Sequence, residues 1–130
     1  MNRKTIGTLC VVIFTLVGSG CGFLFSKPSG TVKKFYKNVE AGELDAAIAL
    51  FSKNSEINVL GPAKVKAGLT SQSQEFKKRK GIDSINIQDE QINGEIAVVR
   101  GTLKFNDGSS VPFESTLNKE DGKWKIVKLS

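Results

Sequence analysis

The chain has 130 residues, 19 Lys and Arg against 13 Asp and Glu, a formal net charge of +6, and no histidine. Its two cysteines are Cys10 and Cys21. This length supports one domain with a modest core. The missing histidine removes the commonest general base, the Ser-His and Cys-His nucleophile pairs and a principal ligand of zinc and copper.

Arg3 and Lys4 lead into an apolar run, residues 6–17, closed by Gly18-Ser19-Gly20-Cys21. A basic start, a short apolar stretch and small residues together describe a secretory signal. The run is shorter than the roughly 20 residues of a transmembrane helix. A cysteine directly behind the small residues points to cleavage between Gly20 and Cys21 and lipid attachment to the Cys21 thiol. Ordinary secretion with a different cleavage point, and an uncleaved anchor, are the other readings of these residues. Ser19-Gly20-Cys21 resembles the bacterial lipobox, with Gly18 where leucine is commonest. The resemblance implies a diacylglyceryl thioether on Cys21 and an acylated amino group. Such a set of chains anchors stably where one acyl chain binds only marginally. Gly22 stands where an aspartate, by resemblance to enterobacterial lipoproteins, would retain the protein in the inner membrane. The resemblance therefore implies a bacterial envelope lipoprotein, on the outer membrane facing the periplasm.

The chain divides into a signal peptide (1–20), a lipidated tether (21–30) and a single domain (31–130). Loss of residues 1–20 leaves 110 residues with a charge of +4, and Cys21 as the only cysteine. No intrachain disulfide is then possible, although the compartment permits one. There is no Asp-x-Asp-x-Asp-Gly calcium loop and no phosphate-cradling glycine loop, so neither a metal nor another cofactor is expected. The tether carries Phe23-Leu24-Phe25, which suit a membrane interface or fold back on the domain. Pro28 with its Gly and Ser neighbours argues against regular structure there.

From Thr31 the period is helical: Val32, Phe35, Tyr36 and Val39 form one apolar stripe, and Gly42 supplies a stop. Leu44, Ala47, Ile48 and Phe51 repeat the spacing and predict a second helix. Residues 52–60 read as a loop with a short extended piece over 56–60. Gly61-Pro62 opens a third, weaker helix with Val65, Leu69 and Phe76 on its stripe and Gly81 at its end. Its last residues, Lys77-Lys78-Arg79-Lys80, are the densest basic run. Cations at a helix C-terminus complement the macrodipole, and contact with anionic lipid is the other reading. No aromatic residues interleave with the run, and no nucleic-acid partner is expected.

After Ile82 the period is two. Ile85 and Ile87 alternate with polar residues, and Asn93-Gly94 marks a hairpin. Residues 95–105 form a long central strand in which Gly101 marks a bulge or bend. Asn106-Asp107-Gly108 turns the chain into the alternating Val111, Phe113, Ser115 and Leu117, and Glu120-Asp121-Gly122 turns it into Trp124 to Leu129. The fold class is α+β: two to three N-terminal helices on a curved four-stranded antiparallel sheet, enclosing a cone-shaped interior.

Residues 31–47, from Thr-Val-Lys-Lys-Phe-Tyr through Gly-Glu-Leu-Asp-Ala-Ala, together with Asp121-Gly-Lys-Trp-Lys-Ile-Val127, resemble small bacterial lipoproteins of the nuclear-transport-factor-2-like, or cystatin-like, superfamily. That resemblance implies a strongly bent roll with a pocket at its wide end. It does not deliver function, because isomerases, dehydratases and binding modules share the superfamily. No catalytic constellation is visible, so a non-catalytic module binding a small ligand or an envelope protein is expected. An isomerase- or dehydratase-type enzyme and a structural accessory domain are the alternatives. An enzyme would need a carboxylate base in the pocket, with Asp89, Glu95 and Glu114 the strand candidates. Arg100 is either a paired strand residue or an anchor for an amphiphilic anion. Tyr36 and Trp124 complete the candidate pocket residues, Trp124 also reading as core.

Overall fold

Helix α1 (Pro28–Ala41) opens the computed structural model, which describes residues 27–130. It starts three residues earlier than the sequence pattern predicts. Pro28 sits in the first turn, where a missing N–H leaves no helical bond unmade and the fixed φ is helical already. Cys21, the cleavage point and Phe23-Leu24-Phe25 lie outside the described residues.

Val32, Phe35, Tyr36 and Val39 are buried as their spacing predicts. Each such side chain taken from water contributes about 1.5–3 kcal/mol. The helix lies antiparallel to the first strand and is tied to it at both ends. The Ser29 N–H donates to Glu90 Oε2 at 2.7 Å, and Glu40 accepts from the Ile82 N–H. Gly42, at φ 78°, ends α1 in a left-handed cap whose successor donates from Glu43 N–H to the Asn38 carbonyl at 2.9 Å.

Two corrections follow in the next segment. Helix α2 (Leu44–Ile48) is shorter than its stripe suggests. Phe51 leaves the helix to form a single parallel bridge with Ile126, while its ring stays 5.3 Å from that of Phe35. Residues 56–60 are not extended but hold a one-turn helix, α3 (Ile57–Leu60). Asn58 stabilises that turn by donating from its amide to the Ser52 carbonyl at 3.1 Å. Helix α4 (Pro62–Lys78) buries Val65, Leu69 and Phe76, with Ser73 added to the buried stripe. Lys77 and Lys78 occupy its last turn, as the macrodipole argument expects.

The sheet is an antiparallel meander in the order β1-β2-β3-β4: β1 (Ile82–Asn93), β2 (Ile96–Phe105), β3 (Ser110–Glu120) and β4 (Lys123–Leu129). The fold class is therefore α+β as predicted, with α3 added to the helices. The irregularity expected at Gly101 falls on its partner strand. Ile87 pairs with Gly101 and Asp89 with Arg100, so Gln88 is the extra residue. A second shift lies between Ile82 and Ser84, and bulges of this kind bend a sheet and increase its twist.

Candidate functional site

The bent sheet and the position of α4 create a cleft. Helix α4 packs on α1, α2 and α3 and stands off the strands, touching them through long aromatic side chains. Phe76 reaches down to Phe105, with ring centroids 5.4 Å apart. Two hollows remain on either side of Gln72 and Leu129, which line both.

The first hollow, of about 420 Å³, is walled by Phe35, Phe51, Val65, Leu69 and Val127, with Glu56, Lys64 and Lys128 at its rim. The second, of about 530 Å³, is floored by Tyr36, Phe76, Leu103, Phe105, Val111 and Phe113. Glu75 and Arg79 also line it.

Arg79 is fixed by three contacts. Its Nε donates to Glu75 Oε1 at 3.2 Å, its Nη1 donates to Ser109 Oγ at 3.2 Å, and the guanidinium lies 5.2 Å from the Phe105 ring centroid. The sequence treats this residue as one charge in a solvated run. The one signal that separates it is its type: a single arginine among lysines, whose planar head stacks on an aromatic face while also offering a fork of donors. Tyr36 packs against Phe35 and Phe113, with both ring centroids at 5.2 Å. Burial pushes its phenol up to about 12.

Of the candidate pocket residues, only Tyr36 lines the cleft. Arg100 is on the opposite face of the sheet, because Val99, Gly101 and Leu103 take the inner positions of β2. There its Nε donates to Glu114 Oε2 at 2.6 Å and its Nη1 to Asp89 Oδ2 at 3.3 Å. Two of the three strand carboxylates are thus engaged outside the cleft, and Glu95 sits in the exposed β1–β2 turn. Trp124 is core, 6% exposed, and lines a separate shallow hollow beside the start of α1. Among the described residues no cluster of three or more potential metal ligands occurs.

A meander roofed by helices with a cleft beneath the longest defines the NTF2-like fold, and solved structures agree. A Campylobacter jejuni protein provisionally described as an NTF2-like transpeptidase matches with TM-score 0.68 at 23% identity, over 78% of this chain and 97% of that one. A SEC-C motif containing protein from Rhodopseudomonas palustris gives 0.60 at 13% identity, over 85% and 87%. An NTF2-like protein of unknown function from Shewanella oneidensis gives 0.52 at 17%, over 76% and 90%. At these identities the likeness is one of fold, and the fold hosts both enzymes and non-enzymes. No curated protein matches the chain. The chain belongs to the DUF4878 family, a domain of unknown function, whose profile matches residues 19–127.

Proposed function

We propose that this protein is a lipid-anchored lipoprotein of the bacterial envelope whose cleft binds the apolar body of a small anionic amphiphile without transforming it. The observation that carries the binding role is Arg79, a cation held in place at the rim of an aromatic-floored hollow. That is the role the sequence offered to Arg100. Pockets that bind small molecules combine an apolar lining with a few placed polar groups, and both hollows have that character.

An isomerase or dehydratase would need a base within the cleft. Asp89, Glu95 and Glu114 are elsewhere, Glu75 at the rim is paired with Arg79, and Glu56 stands at the rim of the first hollow, which Lys64 and Lys128 also line, and not on its apolar wall. A transpeptidase would need an activated nucleophile. The cleft serines Ser55, Ser71 and Ser130 have no histidine to activate them, and the Ser55 hydroxyl donates to the Val127 carbonyl at 2.9 Å. A purely structural role would suit a filled interior better than two open hollows.

The anchor rests on the sequence up to Cys21, of which the family match, beginning at residue 19, covers Ser19-Gly20-Cys21 alone. No helix among the described residues is long and apolar enough to cross a membrane.

Two measurements test the two halves of the reading. Cys21→Ser abolishes labelling by palmitate; unchanged labelling removes the anchor. Anilinonaphthalene sulfonate, an apolar anion, binds the protein at a single saturable class of site, and Val111→Trp, which fills the second hollow, blocks it. Binding that is absent, or indifferent to Val111→Trp, removes the cleft.

A further inference from the structure

A third hollow lies where the tether enters the domain. It has a volume of about 300 Å³, a floor of Trp124 and Leu50, and walls carrying Lys27, Lys34, Lys123 and Lys125. Every titratable side chain lining it is a lysine. Among the described residues none of the four is ion-paired. Lys125 is held in position, donating from Nζ to the Ala49 carbonyl at 2.8 Å, and Thr31 Oγ1 donates to the Trp124 carbonyl at 3.1 Å, pinning α1 to β4 at this point. The α1 N-terminus does not explain the charge, because Glu90 already takes the Ser29 N–H.

We infer that this hollow docks on the anionic phosphate headgroups of the membrane that carries the anchor, fixing which face of the domain meets the bilayer. The inference rests on acylation of Cys21. Lys27 is six residues beyond Cys21, and a chain of that length spans at most about 22 Å. The hollow is therefore confined to the neighbourhood of the lipid surface whatever path the tether takes. Four lysines around one hollow suit that boundary, where ammonium groups meet phosphate, while the Trp124 ring stays in the core and only floors the hollow.

The denser basic run is placed differently. Lys77 to Lys80 lie at the far end of α1, where Glu40 meets Ile82. The 14-residue helix separates the two charge clusters by about 21 Å. That exceeds the roughly 10 Å over which charges act in 0.1 M salt. The two clusters therefore act independently, and the hollow is the one that adjoins the tether.

Trp124 is the only tryptophan, so its fluorescence reports on this hollow alone. The test uses the acylated wild-type protein in vesicles, with palmitate label confirming the anchor. Quenching of Trp124 by headgroup-spin-labelled lipid is compared between phosphatidylglycerol-containing vesicles and pure phosphatidylcholine vesicles. Quenching is expected to be stronger in the anionic vesicles and to fall in 1 M salt.

Lys34→Glu/Lys123→Glu lowers the docked-to-free ratio by at least about thirtyfold, the loss of two lysines near an anionic surface before the repulsion of the two new carboxylates is added. Lys77→Glu/Lys78→Glu, the same charge change, leaves it unaltered. Labelled protein whose Trp124 is quenched equally in both vesicles overturns the docking while the anchor stands. Equal loss in both double variants also overturns it. A response to glycerol phosphate in neutral vesicles that matches the response to anionic lipid assigns the hollow to a free phosphoester and overturns the membrane contact. Absence of palmitate label overturns anchor and docking together.

Discussion

Gly101 and Phe113 face each other across the β2–β3 ladder, and the Phe113 ring occupies the space a side chain at 101 would need. A Cβ there would stand 2.7 Å from the ring and would collide with the Asn86 carbonyl of β1. The glycine thus lets β1 approach on one side and seats an aromatic of the cleft floor on the other. Gly101→Ala is expected to destabilise the domain by about 1–3 kcal/mol, the usual cost of overpacking, and toward the upper end because backbone is one of the obstacles. Urea unfolding measures it. A stability equal to wild type would show that the close approach is not needed.

Gly68 is the opposite case. It lies in the interior of α4 with nothing within 4 Å of its Cβ position. Gly68→Ala is expected to stabilise by about 0.5–1 kcal/mol, through the backbone entropy a helical glycine loses on folding. It also borders the first hollow, so Gly68→Trp projects a ring toward that space. The alanine variant should raise the unfolding midpoint and leave probe binding intact, and the tryptophan variant should also leave it intact, because the probe is seated in the second hollow.

The contrast between these two glycines shows how far the fold was legible in the sequence. Period alone located the α1 stripe at Val32, Phe35, Tyr36 and Val39, and the alternation of Phe113, Ser115 and Leu117 placed β3 correctly. Both signals come from neighbours along the chain. What Gly101 accommodates depends on Asn86 and Phe113, which are distant in sequence. Arg100 was ambiguous for the same reason: its partners Asp89 and Glu114 belong to two other strands. Arg79 was hidden because its neighbours resemble an ordinary solvated helix end. Helix α3 is a single turn, too short for any periodicity to show, and the β-branched Ile57 and Val59 read as extended.

Tyr36 is the only tyrosine, so its ionisation can be followed without background. Burial raises its pKa from 10.0 to about 12. An acid whose pKa is raised by folding favours the folded state while protonated. The stability it supports is complete below pH 10 and is lost as pH rises through the folded value. Tyrosinate absorbance should therefore appear near pH 12 in the native protein and near pH 10 in urea. Tyr36→Phe should flatten the alkaline limb of the stability profile. A native midpoint near 10 would show the phenol to be open to water.

Glu120 predicts the acid limb. The buried Ser52 hydroxyl donates to its carboxylate and holds its pKa below the usual 4.5. Here the charged form is favoured by folding. The contribution is present above the ordinary glutamate value and is lost as pH falls through the lowered one. Glu120→Gln should shallow the loss of stability on acidification, and Ser52→Ala should do the same. Unfolding measured at a series of pH values would show parallel acid limbs for wild type and variant if the bond were inconsequential.

Arg79 and Arg100 separate the cleft from the outer face of the sheet. Arg79 is held by one carboxylate and Arg100 by two, but only Arg79 lines a hollow. Arg79→Gln removes the cation at the rim and should weaken binding of an apolar anion about tenfold to a hundredfold, the range for a lost charge-assisted hydrogen bond. Binding of an uncharged apolar probe should change far less, because the aromatic floor is untouched. Arg100→Gln should alter neither, and its unfolding midpoint should stay close to wild type, since exposed ion pairs contribute little. Titration of both variants with the charged and uncharged probes reads the difference. Equal effects from the two arginines would mean that the anion is drawn by overall charge and not seated by Arg79.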